Sequence, residues 1–317
     1  MNPILELIDL TKDFTAKNGV KISAVRGINL QQAKGETIGI VGESGCGKST
    51  LGRMILHLIR PSTGRVMFQN KDLMSLGNSE LRQIRRQMQM IFQDPYAALD
   101  PRMTVGQLVE EPLLIHGERS SKVRQMRTAE LLELCGLSSE LSRSYPAALS
   151  GGQRQRICIA RALALSPKLV VADEPVSALD VSVQAQVINL MMQLKRNHDL
   201  SYVFVSHNLA VVKYVSDRIA VMYLGRIVEM GLPEDICANP AHPYTRLLLD
   251  AVPVPNPDRA RPTAAASLHL LEPKPLSSGC SFANRCLLVT DKCHSEPPKP
   301  VPIGTTSKQH WVECHLY

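Results

Sequence analysis

The amino-acid sequence predicts an α/β fold built around a largely parallel sheet. Short runs rich in aliphatic and β-branched residues recur along the chain, and helical stretches separate most of them, the pattern of consecutive βα units. Apolar residues make up 44% of the chain but aromatics only 4%, so the strands are built from Val, Ile, Leu and Ala, as suits a sheet buried on both faces. The 317 residues are enough for one large domain with something smaller attached.

Taken in order, KISAVRGINL (from Lys21) alternates and ETIGIVG (from Glu36) is continuously apolar; both read as strands, the second running straight into glycines. Met88–Phe92, Leu169–Asp173 and Tyr202–His207 are further short strands. IAVMYLGRIVEMG (Ile219–Gly231) reads as two strands joined at Leu224 and Gly225. From Asp94 to Ala148 the pattern changes: VRQMRTAELLELCGL carries helical periodicity, and this region is expected to be a helical insertion between two core strands. Near Val252 a proline-rich connection begins, PVPNPDRARPTAAAS, which sets boundaries of 1–251 for the main domain and 252–317 for a C-terminal extension. No internal repeat or coiled-coil heptad is visible.

The formal charge is +7, with 36 basic residues scattered rather than gathered in a tail or interleaved with aromatics. A solvated basic surface is the plain reading and a face near anionic lipid the second; nucleic acid is not expected as a partner. The N-terminal MNPILELIDLTKDF has acids among its apolar residues and no basic lead, unlike a signal peptide, and no apolar run approaches the roughly 20 residues that cross a bilayer. A cytosolic protein is expected, with any membrane-spanning part supplied by other subunits.

The strongest chemical signal is GESGCGKST, Gly42, Glu43, Ser44, Gly45, Cys46, Gly47, Lys48, Ser49 and Thr50, lying between an apolar strand and the helix LGRMILHLI. The spacing is that of a phosphate-binding loop in its strand–loop–helix setting. Successive amides and the helix N-terminus make an anion site, and glycines at 42, 45 and 47 let the backbone approach phosphate. Lys48 is placed to meet the β and γ phosphates and the Ser49 hydroxyl to meet Mg²⁺. LVVAD then delivers Asp173 for Mg²⁺, directly or through water, and Glu174 beside it, pointing elsewhere by strand alternation, as general base for an attacking water. LSGGQRQR, Leu149–Arg156, places a serine and two glycines at a helix start, which also suits an anion.

These motifs in this order, with SALD (Ser177–Asp180) and His207 after YVFVS, resemble the ATP-binding subunit of the ABC transporter superfamily over essentially the whole chain. The resemblance implies a P-loop NTPase, RecA-like core with an N-terminal antiparallel β subdomain, an inserted helical subdomain and a small cysteine-containing C-terminal extension. It implies that Gln93 reaches the metal and attacking water, that His207 meets the γ-phosphate, and that Asp180 belongs to the loop crossing to a partner. It also implies that Ser150, Gly151, Gly152 and Gln153 bind the γ-phosphate of a neighbouring subunit's ATP. Phe14, by its position in TKDF, is the expected adenine-stacking aromatic.

FQDPYAALDPRMTV (Phe92–Val105), NPAHPYTRLLLDAVP (Asn239–Pro253) and GCSFANRC (Gly279–Cys286) further resemble the oligopeptide/dipeptide/nickel importer group, with the look of the second of its two ATPase subunits. That implies a heterodimer with a homologous second ATPase subunit and two integral permeases docked on the helical insertion. It also implies an extracytoplasmic solute-binding protein and a peripheral place on the cytoplasmic face of the inner membrane. Short peptides lead as substrate, with nickel chelates and other small solutes as alternatives. A DNA-repair or chromosome ATPase with the same signature would need long coiled coils, and a translation-associated relative would need two phosphate loops; neither is present.

Cys280, Cys286, Cys293 and Cys314 crowd the extension, with five, six and twenty residues between them. In a cytosolic chain metal is expected over disulfides. Tight C-x₂₋₄-C pairs, typical of structural zinc, are missing, so four soft thiolates favour a [4Fe–4S] cluster with zinc as the alternative. Cys46, Cys135, Cys158 and Cys237 read as core or lining residues, and His242 as structural.

Overall fold

A computed structural model describes residues 3–15, 19–251, 278–304 and 310–317. In chain order the elements are β1 (Leu5–Thr15), β2 (Lys21–Gln32), β3 (Thr37–Val41), α1 (Lys48–Ile55), β4 (Thr63–Phe68), β5 (Lys71–Asp72), α2 (Asn78–Arg85) and β6 (Met88–Ile91). The helical insertion follows as α3 (Pro95–Ala98), α4 (Val105–Ile115) and α5 (Ser121–Leu134), closed by short 3-10 turns at Ser139–Arg143 and Pro146–Ala148. The core resumes with α6 (Gly151–Leu163), β7 (Leu169–Asp173), α7 (Val181–His198), β8 (Ser201–Ser206), α8 (Leu209–Val215), β9 (Arg218–Tyr223) and β10 (Arg226–Gly231). Then come α9 (Pro233–Ala238), α10 (Pro243–Asp250), α11 (Asp291–Ser295), β11 (Pro300–Pro302) and β12 (Trp311–Glu313).

The larger sheet runs β11-β12-β10-β9-β3-β8-β7-β6. Its centre is parallel: β3 pairs with β8 and β9, and β7 with β6 and β8. All five residues of β3 and of β7 and all six of β8 are buried, as expected of strands covered on both faces. One face packs against the helical insertion with α6, α7 and α8. The other packs against α1 and the second sheet, β2-β1-β4-β5, which is antiparallel. The β9–β10 hairpin turns at Leu224 and Gly225, both at positive φ (42° and 85°), matching the predicted Leu-Gly turn.

The C-terminal residues join the core. β12 pairs antiparallel with β10 and β11 with β12, extending the central sheet at its edge. Cys280, Phe282, Ala283 and Cys293 are buried within the main hydrophobic cluster. Cys46, Cys135 and Cys158 are buried as expected, and Cys237 is half-buried. His242 is structural: wholly buried, it caps α10, with Nδ1 accepting from the Tyr244 amide at 3.0 Å, and burial pushes its pKa down to about 3. The proline-rich Pro253–Ser267 connection lies outside the described residues.

Candidate functional site

The glycine-rich loop between β3 and α1 opens on a cavity of about 430 Å³. Ser44, Gly45, Gly47, Lys48, Ser49 and Thr50 line it on one side, and Ala24, Gln93, Glu174 and His207 on the others. Ala24 comes from β2, Gln93 follows β6, Glu174 follows β7 and His207 follows β8, so the C-terminal ends of three parallel strands converge here. Open parallel sheets place their ligand sites at such ends.

Gly47 caps α1 at φ 107°, and a Cβ there would stand 2.1 Å from the Ala24 carbonyl oxygen. Both the torsion and the close approach require glycine. Lys48 is buried, and its Nζ donates to the carbonyls of Gly42 and Glu43, each at 2.8 Å. Its charge and the amides at the head of α1 make this wall electropositive.

The opposite wall is acidic. Ser49 Oγ donates to Asp173 Oδ1 at 2.9 Å. Burial raises the Asp173 pKa, while the Ser49 hydrogen bond and the Arg53 charge oppose the rise. A buried carboxylate beside a hydroxyl at the mouth of a phosphate loop offers the hard oxygen donors that Mg²⁺ takes. Glu174 leaves the strand at φ 46°, a left-handed conformation that costs on the order of 1 kcal/mol or more outside glycine. Its carboxylate meets Gln93 and His207, and its charge adds to the rise at Asp173. Gln93 Nε2 donates to Glu174 Oε2 at 3.0 Å, and His207 Nδ1 stands 3.1 Å from Oε1. The glutamate is thereby fixed by both neighbours, with His207 still 58% exposed to the cavity.

Other expected residues lie elsewhere. Gly42, Glu43 and Cys46 belong to the loop but not to the cavity lining; Cys46 is buried and the Glu43 carboxylate is turned outward. Ser150, Gly151, Gly152 and Gln153 start α6 outside this cavity. Ser150 Oγ accepts from the Gln153 amide at 3.2 Å while Gln153 Oε1 accepts from the Ser150 amide at 3.0 Å, a reciprocal capping box. A Cβ on Gly152 would come within 2.5 Å of the Val183 side chain, so glycine there lets α6 close on α7. Asp180 caps α7, accepting from the Val183 amide at 3.0 Å. Phe14 also lies outside the cavity lining: it is 39% exposed on the β1–β2 hairpin, with the Lys12 ammonium 5.1 Å from its ring.

All eight cysteines are free thiols. Among the described residues no three His, Cys, Asp or Glu side chains stand close enough together to hold a metal ion. Zinc therefore does not find its ligand geometry on the four clustered cysteines, and their placement lends the expected [4Fe–4S] cluster no direct support. They are nonetheless neighbours: burial chiefly, and then the proximity of Cys293, Cys314 and Cys286, pushes the Cys280 thiol up to about 11.

A contact that sequence reasoning missed joins the loop to the extension, where Arg285 pairs with Glu43 in a two-pronged ion pair. No local pattern signals it, because the partners are 242 residues apart.

Comparison with known proteins gives a consistent picture. A family profile described as ABC transporter matches residues 25–177, and one described as oligopeptide/dipeptide transporter, C-terminal region, matches residues 228–293. The chain is 46% identical to the oligopeptide transport ATP-binding protein OppF of Salmonella typhimurium, covering 98% of this chain and 95% of that one. It is 42% identical to the di/tripeptide transport ATP-binding protein DppF of Pseudomonas aeruginosa, covering 99% and 98%. A solved ATP-binding cassette, a dimer in a post-hydrolysis state bound to ADP and Pi, superposes with a TM-score of 0.66 at 32% identity, covering 72% of this chain and 98% of that one.

Proposed function

This chain belongs to the ABC transporter family as an ATP-hydrolysing subunit of the peptide-importer type, and from that premise we propose how its own residues perform the work. The observation that carries the reading is the convergence of Lys48, Ser49, Gln93, Glu174 and His207 on one cavity at the strand ends.

The amides of Gly45, Gly47 and Lys48 and the Lys48 ammonium receive the nucleotide's phosphates. Lys48 Nζ gives up its two carbonyl partners and turns to the β and γ oxygens. Ser49 and Asp173, already hydrogen-bonded, would hold Mg²⁺ from the protein side with Gln93 beside them, and the ion would neutralise phosphate charge. Glu174 takes the proton of the attacking water through the carboxylate that Gln93 and His207 fix, and His207 faces the γ-phosphate. Phe14, an exposed ring on the hairpin that also supplies Ala24, stacks on adenine.

One subunit completes only half of each site. Ser150, Gly151, Gly152 and Gln153 present a helix N-terminus away from the chain's own cavity, and Asp180 stands near them. In a head-to-tail pair with a homologous second ATPase subunit, these amides meet the partner's γ-phosphate, each terminus contact worth about 1 kcal/mol. Hydrolysis removes the link and opens the pair.

The transported solute is a di- or oligopeptide, in keeping with the relatives' names. None of the described helices is long and apolar enough to cross a membrane. In keeping with relatives named as peptide-transport ATP-binding proteins, the chain works in this reading at the cytoplasmic face of the inner membrane, with two permeases and an extracytoplasmic binding protein. The groove between the core and the helical insertion, lined by Met90, Phe92, Ala98, Pro112 and Ile115, is where the permeases' cytoplasmic helices dock. Nickel or another small solute is the alternative cargo.

The extension's four thiols hold a [4Fe–4S] cluster in this reading. Ligand softness and ligand number are what favour it. Iron and acid-labile sulfide should appear in anaerobically purified protein; their absence removes the cluster. The transport reading is tested by affinity capture from native membranes. Permeases and a second ATPase should co-purify, and peptide should stimulate hydrolysis in the reconstituted assembly. Capture of nucleic acid in their place overturns it.

A further inference from the structure

Glu43, the second residue of the phosphate loop, is held from three directions. Its amide donates to Tyr244 Oη at 2.9 Å, and its carbonyl accepts from Lys48 Nζ at 2.8 Å. Its carboxylate takes two hydrogen bonds from Arg285, Nη1 to Oε2 and Nη2 to Oε1, both at 2.8 Å. Tyr244 belongs to α10 and Arg285 to the 3-10 turn Ala283–Arg285, which lies between Cys280 and Cys286.

The Arg285 side chain is only 3% exposed, and Nη1 also reaches Tyr223 Oη at 3.4 Å. The Tyr223 and Phe282 rings lie 5.7 and 5.8 Å from its guanidinium, and Tyr244 packs on both rings, with centroids 4.5 and 5.5 Å away. A guanidinium so enclosed needs its carboxylate, because removing one partner leaves a buried charge unpaired. The two-pronged geometry also fixes direction, which a single-point cation does not. Glu43 is thus pinned on the outer side of the loop while Ser44, Gly45 and the residues from Gly47 to Thr50 line the cavity.

We propose that Arg285, assisted by Tyr244, is a positioning residue for the phosphate loop, so that the C-terminal extension forms an outer support of the nucleotide site. Neither residue touches nucleotide; both act through Glu43. The inference rests on residues 42–50 being the phosphate loop of an ATPase. Losing the support lets the loop relax before phosphate arrives. Binding then has to restore its geometry, which weakens ground state and transition state alike. That raises KM and leaves kcat nearly unchanged.

The test uses the full-length protein with a fluorescent ATP analogue and thermal unfolding, and the protein paired with its second ATPase subunit for steady-state hydrolysis. Arg285→Gln should weaken nucleotide binding and raise KM by about tenfold, with kcat within about twofold. Arg285→Lys, which keeps the charge but not the fork, should fall between. Glu43→Gln should resemble Arg285→Gln, and the double variant should be no worse than the worse single one, the signature of a shared interaction. A folded Arg285→Gln protein with wild-type affinity, or additive losses in the double variant, overturns the proposal. Should Arg285→Gln fail to fold, Glu43→Gln and Tyr244→Phe decide: weakened binding in both supports the proposal, and wild-type affinity in either overturns it. Failure of the wild-type protein itself to bind ATP would instead sink the phosphate-loop reading.

Discussion

His207 Nδ1 stands 3.1 Å from Glu174 Oε1, and both residues sit just past the ends of adjacent parallel strands, β8 and β7. Gln93, just past the neighbouring β6, takes the other carboxylate oxygen at 3.0 Å. Three consecutive strands of the sheet therefore each contribute one side chain to a single hydrogen-bonded group. β7 and β8 are buried along their whole length, which makes the spacing of Glu174 and His207 rigid.

Glu174→Gln keeps the size of the side chain and an oxygen for its neighbours, but not its basicity. ATP should still bind, and hydrolysis should fall at least 100-fold, the scale of a lost general base. Single-turnover phosphate release from the variant paired with the second ATPase subunit measures it. Full activity would remove Glu174 from the proton-transfer role.

Lys48→Ala removes a buried ammonium whose present partners, the Gly42 and Glu43 carbonyls, are neutral. Because a hydrogen bond to a charged group contributes about 1.5 to 3 kcal/mol, nucleotide affinity should drop by roughly 10- to 100-fold. Thermal stability should change much less than affinity. Equilibrium titration with ATP and ADP reads it, and unaltered affinity would contradict the phosphate-loop assignment.

The parts of this site that local sequence specifies were legible: a β-rich run, glycines at fixed offsets, a lysine, then a helix. The hairpin at Leu224 and Gly225 was legible for the same reason. What was not legible depends on long-range pairing. Strands β11 and β12 are three residues each, and β11 begins and ends with proline, so neither carries a periodic signal; they exist because β10 offers an edge. The Arg285–Glu43 pair has no local trace. Phe14 rests on sequence position alone, and the hairpin that carries it also brings Ala24 to the cavity's lining.

Ser150→Ala separates two consequences of one hydroxyl. As the helix cap it bonds the Gln153 amide at 3.2 Å, and its removal should cost about 1 kcal/mol of stability. As a contact to the neighbouring subunit's nucleotide, its removal should weaken ATP-dependent association while leaving ATP binding to the single chain intact. Sedimentation of the variant with the homologous second ATPase subunit, both carrying the glutamate-to-glutamine change to prevent hydrolysis, distinguishes them. Undiminished association would confine Ser150 to capping.

Glu313 gives the extension a pH dependence whose sign follows from burial. The carboxyl lies on β12 beside Trp311, with Arg226 Nη1 3.8 Å away, and burial raises its pKa to about 7 in spite of that arginine. An ordinary glutamate, as in the unfolded chain, ionises near 4.5. Below that pH both states are protonated, and the folded protein retains the full benefit of a neutral buried group. Between 4.5 and 7 the unfolded chain sheds a proton that the folded one keeps, so stability falls as pH rises, by on the order of 3 kcal/mol across the interval. Glu313→Gln stays neutral throughout. It should therefore be more stable than the wild type at pH 8, and its advantage should vanish below about pH 5. Trp311 is the chain's single tryptophan and precedes Glu313 by two positions in the same strand, so its fluorescence during unfolding reports on this segment. If the difference between variant and wild type did not change from pH 5 to pH 8, the carboxyl would be ionised in the folded state across the range. The Arg226 pairing, and not burial, would then govern it.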